Sequence, residues 1–144
     1  MPDPNDPNCI FCKIASGQIP CFKVYEDDVI LAFLDVGPVV NGHTLVIPKA
    51  HHPTIMEIPP DVLGAVNQRI PKIARAVLAA TGARACHVLV NNGTQAMQSV
   101  AHLHYHILPR KAGDDLHIPW NAKILDKATA ETLADAVAER VHSS

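Results

Sequence analysis

The sequence predicts an α+β domain in which an antiparallel sheet of about five strands packs against one long helix and is followed by a C-terminal helix. Two observations lead to this prediction. Short apolar runs separated by turn residues lie before residue 50 and again after residue 85, as in the strands of a sheet. Between them, apolar residues recur at intervals of three and four, which is the pattern of an amphipathic helix.

Composition indicates one globular domain. The chain has 144 residues, of which 48% are hydrophobic and 18% are charged, so a sizeable core can form. Residues 1–8 contain three prolines, two aspartates and two asparagines, and we expect them to form a flexible arm. The predicted domain therefore comprises residues 9–144.

The charge balance argues against polyanionic partners. Twelve basic and 14 acidic residues give a formal net charge of −2, which provides no cationic field for a nucleic-acid polymer or an anionic membrane. No apolar run approaches the roughly 20 residues that span a bilayer, and the N-terminal residues do not have the pattern of a signal peptide. We therefore expect a cytoplasmic protein.

Three strands are predicted in the first third of the chain. Residues 22–28 and 29–35 have strand character and meet at the acidic turn 26–28. Residues 43–48 form a third apolar run, buried on at least one face, which Pro48 ends.

The helices and the remaining strands follow from spacing. Apolar residues between Pro60 and Gly82 predict the long helix, in which Pro71 should cause a kink or a split. Residues 86–93 regain strand character and lead into a loop, after which the next strand should run back beside them. The spacing of Leu133, Val137 and Val141 predicts a terminal helix with Thr129 as a candidate N-cap.

The segment HLHYHILPR, residues 102–110, has a histidine at every second position of an apolar run. In a strand this period places all three imidazoles on one face, and Leu103, Tyr105 and Ile107 on the other, where they can pack on the core. A row of imidazoles can ligate a metal, bind phosphate, or supply a nucleophile and its helpers.

Cys9 and Cys12 form half of a possible tetrahedral zinc site, because two thiolates three positions apart can reach one ion. A redox pair and two unligated thiols are the alternatives. His51, His52 and His102 are the best candidates for nitrogen ligands. A zinc ion closed by four protein ligands would be structural and would fix the N-terminal arm to the sheet.

The loop at residues 91–100 precedes the histidine segment and supplies neutral hydrogen-bond donors from Asn91, Gln98 and Ser99. Several donors close to imidazoles suit a phosphoryl group, whose oxygens need partners at the same time. The sequence contains neither a G-x-x-x-x-G-K-[ST] nor a G-x-G-x-x-G motif, so a nucleotide would have to bind by other means.

These motifs together resemble the histidine triad (HIT) family. HLHYHIL matches the family signature of three histidines alternating with apolar residues, and five further segments match in order along nearly the whole chain. The similarity is to the bacterial, Hint-like, zinc-containing branch. It implies the HIT-like fold, a homodimer, and a hydrolase or transferase that acts on the α-phosphate of a purine nucleotide through a nucleotidyl-histidine intermediate.

The resemblance also implies roles for particular residues. His104 would be the nucleophile, His106 would contact the scissile phosphate and help the leaving group depart, and His43 would complete the histidine cluster. Asp35 would bind the ribose hydroxyls. The other implied contacts are the base clamp, Ile10, Phe11, Phe33 and Val36; the phosphate contacts, Asn91, Gln98 and Ser99; and the zinc ligands, Cys9, Cys12, His51 and His102.

The sequence departs from the family pattern at Met97, where a small residue is usual before the glutamine. A side chain there can shift the loop and change the rate or the substrate preference. Cleavage of nucleoside phosphoramidates or related adenylyl conjugates is the leading hypothesis. Diadenosine polyphosphate hydrolysis and a nucleotide-binding regulatory protein with little turnover are the alternatives.

Overall fold

The computed structural model describes residues 6–144 and contains a five-stranded sheet with the strand order β1-β2-β3-β5-β4. The strands are β1 (Lys23–Glu26), β2 (Ile30–Leu34), β3 (Thr44–Pro48), β4 (Ala85–Val90) and β5 (Tyr105–Arg110). The helices are α1 (Ile10–Ala15), α2 (Pro60–Asn67), α3 (Ile70–Thr81) and α4 (Lys127–Ser143). Every pair of neighbouring strands is antiparallel, which confirms the predicted α+β fold with its five-stranded sheet.

Both faces of the sheet are covered near its centre, because alternate residues of the strands point to opposite sides. Ile30, Ala32 and Val46 pack with apolar residues of α2 and α3 on one face. The neighbouring positions Leu31 and Phe33 pack on the other face with residues of α1. All five residues of β3 are buried, so this strand forms the interior of the domain.

The predicted long helix is two helices. Helix α2 ends at Asn67 and α3 starts at Ile70, with Pro71 in the first turn of α3, as the proline predicted. Gly82 ends α3 in the left-handed region at φ 75°, a conformation that glycine adopts without steric cost. Helix α1 was not predicted, because it is only six residues long.

The histidine segment differs from its prediction. Strand β5 begins at Tyr105, so His102 and His104 precede the strand, and the expectation that all three histidines lie in it was wrong. The main chain here bonds to a loop instead of a strand, since Leu103 N donates to the carbonyl of His52 at 2.7 Å. The segment nevertheless alternates as expected, and Leu103, Tyr105 and Ile107 are buried in one apolar cluster.

The predictions for the two ends of the chain can also be compared with the structure. Residues 1–5 of the predicted arm lie outside the described residues, and residues 6–8 form a turn closed by Cys9 N donating to Asp6 O. The predicted C-terminal helix is present, but Asp126 caps α4 instead of Thr129, because its carboxylate accepts from Thr129 N at 3.0 Å. None of the helices described in residues 6–144 is both long and apolar enough to cross a membrane.

Candidate active site and metal centre

His104 is held in one tautomer by the main chain. It is 3% exposed, and its Nδ1 lies 2.7 Å from the carbonyl oxygen of His102, which can only accept a hydrogen bond. Nδ1 therefore carries the proton and donates it to this carbonyl. The Nε2 atom is left with its lone pair, as a nucleophile requires.

A second hydrogen-bonded chain orients His106. The backbone N–H of Val39 donates to Nδ1 of His43 at 3.2 Å, so the proton of His43 is on Nε2. That Nε2–H donates to Nδ1 of His106 at 2.8 Å, which places the proton of His106 on its own Nε2. This Nε2 is buried and has no hydrogen-bond partner among residues 6–144. His106 consequently offers a donor beside His104, with 4.8 Å between the two ring centroids.

Burial keeps these imidazoles uncharged near pH 7, because a low-dielectric environment disfavours the cation. It lowers the pKa of His104 and of His43 below the ordinary histidine value, although the Asp35 carboxylate opposes the effect at both rings. Burial, followed by the charges of His104 and His43, lowers the pKa of His106 to about 4. The tautomers assigned from the hydrogen bonds are thus those of neutral rings.

His104 and His106 line a cavity of about 320 Å³. Its other walls are mostly apolar, and its carboxylate comes from Asp35, whose Oδ1 accepts from Gly37 N at 2.8 Å. Six of the eight residues predicted to contact a nucleotide line this cavity: Ile10, Phe11, Phe33, Asp35, Val36 and Ser99. Sequence reasoning missed seven further lining residues: Ile14, Leu34 and Leu45 in α1, β2 and β3, and Ile19, Pro20, Cys21 and Val100, whose turn and loop positions give no periodic signal.

The other two predicted contacts, Asn91 and Gln98, do not line the cavity. Both ends of the Gln98 amide bond to the main chain: Oε1 accepts from Gly93 N, and Nε2 donates to the carbonyls of Pro53 and Val100. In this structure Gln98 therefore fixes the loop. Met97 in the same loop has φ 69°, a left-handed conformation that favours glycine.

Four side chains converge on one point beneath α1. The ligand atoms of Cys9, Cys12, His51 and His102 all lie within 4.8 Å of one another and belong to buried residues. Cys9 is also the N-cap of α1, and its Sγ accepts from Cys12 N, so the start of the helix sets the spacing of the two thiols. Of the three candidate nitrogen ligands, His51 and His102 join this cluster, and His52 does not.

The distances within the cluster fit a tetrahedral zinc ion. Bonds of about 2.3 Å to sulfur and about 2.05 Å to nitrogen separate two nitrogens by about 3.3 Å, and a nitrogen from a sulfur by about 3.6 Å. The Nδ1 atoms of His51 and His102 are 3.2 Å apart, and the Sγ–Nδ1 distances are 3.4, 3.4 and 3.5 Å. The residues can therefore hold a metal ion of this size.

The protonation states of the ligand side chains also bear on cation binding at this cluster. His102 Nε2 donates to the carbonyl of Pro48 at 2.8 Å, and burial lowers the pKa of His102 to about 4, so its Nδ1 is a bare lone pair. Burial raises the pKa of the Cys12 thiol to about 11, so this thiol is protonated near neutral pH unless a bound cation displaces the proton.

Asp35, His43 and His106 also lie close together, within 4.8 Å. This second cluster does not suit a metal, because His43 Nδ1 accepts from Val39 N–H and the facing Nε2 must carry the proton. Asp35 Oδ2, at 3.5 Å from His43 Nε2, instead faces a hydrogen-bond donor. We interpret this cluster as a hydrogen-bonded relay.

Comparison with known proteins identifies the family of this chain. Residues 16–113 match the HIT domain family. The chain belongs to the HIT family. Among curated HIT relatives, adenylylsulfatase HINT3 of Arabidopsis thaliana is 49% identical over 109 residues, which are 76% of this chain and 55% of that protein. Adenosine 5'-monophosphoramidase hnt1 of Schizosaccharomyces pombe is 34% identical over 93% of this chain and 98% of that protein.

Two solved structures have the same fold as this chain. SMU.412c from Streptococcus mutans superposes with a TM-score of 0.93 at 40% identity, covering 96% of this chain and 88% of that one. A Zn-bound histidine triad family protein from Mycobacterium smegmatis superposes with a TM-score of 0.73 at 33% identity, covering 95% and 98%. The predicted HIT-like fold is therefore confirmed.

Proposed function

We propose that the protein is a nucleotide hydrolase or transferase that acts on the α-phosphate of purine nucleoside phosphoramidates or other adenylyl conjugates. The observation that carries the proposal is the pairing of a free Nε2 lone pair on His104 with an Nε2–H donor on His106, both at one cavity. A nucleophile and an adjacent hydrogen-bond donor are what nucleotidyl transfer to an imidazole needs.

In the proposed reaction, His104 Nε2 attacks the α-phosphorus, and the bond from phosphorus to the leaving group breaks with its electron pair on the leaving group. His104 becomes a nucleotidyl imidazolium, whose Nδ1–H still donates to the carbonyl of His102. His106 Nε2–H donates to the phosphoryl or leaving-group atom on which negative charge develops. Attack by water then breaks the P–N bond and returns its electron pair to His104 Nε2, and the proton that water releases balances the proton that an amine leaving group takes up.

The cavity supports nucleotide binding by its composition. Phe11 and Phe33 lie edge to face with ring centroids 5.8 Å apart and provide an apolar wall for a purine base, with Ile10 and Val36 at a more exposed rim. Asp35 supplies a carboxylate for the ribose hydroxyls, and Ser99 a hydroxyl for the phosphate. Contacts from Asn91 and Gln98 remain predictions, because the loop would have to rearrange to bring them to the ligand.

The names of two relatives support this substrate class. An adenylylsulfatase and an adenosine 5'-monophosphoramidase both act on an adenosine phosphate joined to another group. Their leaving groups differ, so the relatives support the adenylyl part of the substrate more strongly than either leaving group. This chain spans only 55% of HINT3, which leaves its sulfatase activity a proposal here.

We further propose that the cofactor is one structural Zn²⁺ held by Cys9, Cys12, His51 and His102. The contact distances support four protein ligands, and such a closed site supplies no open position for substrate. Zinc would supply an anchor for α1 and for the segment that precedes β5.

A homodimer is also part of the proposal. Helix α4 has no buried residue, and Leu133, Val137 and Val141 form an exposed apolar row along it. Helices in proteins gain most of their stability from packing of an apolar face, so a second copy of the chain is expected to cover this row. Sedimentation velocity measures the mass directly, and a monomer at micromolar concentration would contradict the dimer.

Replacing the nucleophile tests the proposed function. His104→Ala should lower kcat for an adenosine phosphoramidate by at least about 10³-fold, because the covalent route is lost, while AMP still binds. The matched control is His87→Ala, which removes an exposed histidine from β4 and should leave kcat unchanged. Turnover by His104→Ala at the wild-type rate would contradict the mechanism.

The substrate panel should include adenylyl sulfate, an adenosine phosphoramidate and a diadenosine polyphosphate. The proposal predicts the highest kcat/KM for one of the first two. A higher value for the diadenosine compound would favour the alternative hydrolase, and AMP binding without turnover of any substrate would favour a regulatory protein.

A further inference from the structure

The wall of the nucleotide cavity lies between two of the proposed metal ligands. Ile10 and Phe11 occupy the two positions between Cys9 and Cys12 in the first turn of α1, and both side chains line the cavity. The flanking thiols contact His51 and His102 on the metal side. One short piece of backbone therefore fixes the position of both sites.

Phe11 contacts both sites directly. Its ring centroid is 4.9 Å from that of His104, which lines the cavity, and 5.9 Å from that of His102, which belongs to the metal cluster. The residue is 8% exposed, so a displacement of α1 would move a packed ring that faces the nucleophile.

His102 provides a second connection. Its imidazole is in the metal cluster, and its carbonyl accepts the hydrogen bond that fixes the ring of His104. The position of this carbonyl depends on how firmly the His102 side chain is held. An ion at the cluster therefore restrains the proposed nucleophile through one residue.

Helix α1 is held to the sheet by apolar packing and by the hydrogen bonds of its two cysteines. Within residues 6–144, the hydrogen bonds of α1 and its N-cap to other elements are those of the two thiols with His51 and His102. The remaining attachment is apolar packing against the sheet. A six-residue helix is not stable alone, so its order depends on these contacts.

Accepting the proposed function, we propose that binding of zinc and binding of the nucleotide strengthen each other. Each ligand needs α1 and His102 in the same positions, so whichever binds first provides the ordering that the other requires. Linkage makes the effect reciprocal: zinc must raise the affinity for AMP by the same factor by which AMP raises the affinity for zinc.

The first experiment measures this factor in both directions. The dissociation constant of Zn²⁺ is obtained by competition with a chelating dye, with and without saturating AMP, and corrected for binding of zinc to AMP itself. The dissociation constant of AMP is obtained by calorimetry on zinc-loaded and zinc-depleted protein. We expect both constants to fall by the same factor, at least about fivefold.

Two variants locate the coupling. Phe11→Ala keeps all four metal ligands but removes the ring between the sites, so it should bind zinc with the factor reduced to below about twofold. Cys86→Ser removes a thiol of β4 outside the metal cluster and should retain the wild-type factor. A wild-type factor in Phe11→Ala would overturn the role of α1 in the coupling.

The outcomes separate this inference from the proposed function. If AMP binds zinc-loaded and zinc-depleted protein equally, the coupling is overturned and the proposed function stands. If AMP binds neither form, both are overturned. Circular dichroism of the zinc-depleted protein shows whether it remains folded, and for Phe11→Ala the factor is taken from the dissociation constant of zinc with and without saturating AMP.

Discussion

Two clusters that contain histidines draw on the same two stretches of chain, with His43 and His51 in one and His102 and His106 in the other, and they differ in what they can bind. In the cluster of Cys9, Cys12, His51 and His102, two imidazole Nδ1 atoms face each other at 3.2 Å. In the relay of Asp35, His43 and His106, Nε2 of His43 carries a proton and donates it to Nδ1 of His106 at 2.8 Å. The first arrangement suits a cation, and the second is a hydrogen bond.

Main-chain contacts explain the difference. The carbonyl of Pro48 accepts from Nε2 of His102, which leaves the lone pair of Nδ1 directed into the metal cluster. The N–H of Val39 donates to Nδ1 of His43, which places the proton on the Nε2 that faces His106. One backbone oxygen and one backbone N–H thus give the same residue type two different functions.

The largest expected effect comes from removing a metal ligand. Cys12→Ala should reduce bound zinc from about one per chain to below about 0.1, because three ligands do not close the tetrahedral site. The midpoint of thermal unfolding should fall by about 10 °C, since structural zinc contributes several kcal/mol to folding. Metal analysis and calorimetry measure the two effects.

His43→Ala is the matched change in the relay and should retain about one zinc per chain. Stoichiometric zinc in Cys12→Ala would contradict the proposed ligand set. Loss of zinc from His43→Ala would contradict the separation of the two clusters.

A smaller effect is expected on turnover when the relay alone is changed. His43→Ala should lower kcat by about 10²-fold, because His106 loses the donor that fixes its ring and its tautomer. His43→Gln retains an N–H donor at the end of the side chain and should lose less than about tenfold. Steady-state kinetics on one substrate, with AMP affinity measured in parallel, compares the variants.

Equal losses in His43→Ala and His43→Gln would show that the hydrogen bond to His106 is not what matters at this position. A loss confined to KM would instead place His43 in substrate binding.

Many features of the two clusters can be predicted from the sequence, because residue types and their spacing can be read there directly. Cys9 and Cys12 gave the half-site, and the alternation of HLHYHIL predicted that Leu103, Tyr105 and Ile107 would be buried together. Pro71 predicted the break between α2 and α3. Matching the complete motif set to the HIT family assigned the remaining candidate residues.

Other features could not be predicted because they depend on main-chain atoms distant in sequence. Nothing in the sequence indicates that the carbonyl of Pro48 meets His102 or that the N–H of Val39 meets His43. The start of β5 at Tyr105 has a similar cause, since Leu103 N bonds to the distant carbonyl of His52. Helix α1 is too short for a periodic signal, and its order depends on tertiary contacts.

The smallest expected effect is a shift of the pH dependence below the range in which histidines usually titrate. Protonating His106 would put a proton on Nδ1, where His43 Nε2–H already donates, so the relay opposes the cation as burial does. The pKa of His106 is lowered to about 4. Burial also lowers the pKa of the proposed nucleophile His104, so both rings stay neutral below the pH at which an ordinary histidine titrates, and any acidic limb of kcat/KM should have an apparent pKa below about 6.5.

The measurement needs a substrate with no group that titrates in this range and a check that zinc stays bound at the lowest pH. Under these conditions kcat/KM reports ionisation of the free enzyme and substrate. An acidic limb with an apparent pKa near 6.5 would show that a histidine of ordinary basicity controls the reaction. That result would show that neither burial nor the hydrogen bonds from Val39 to His43 and from His43 to His106 keep the imidazole rings neutral.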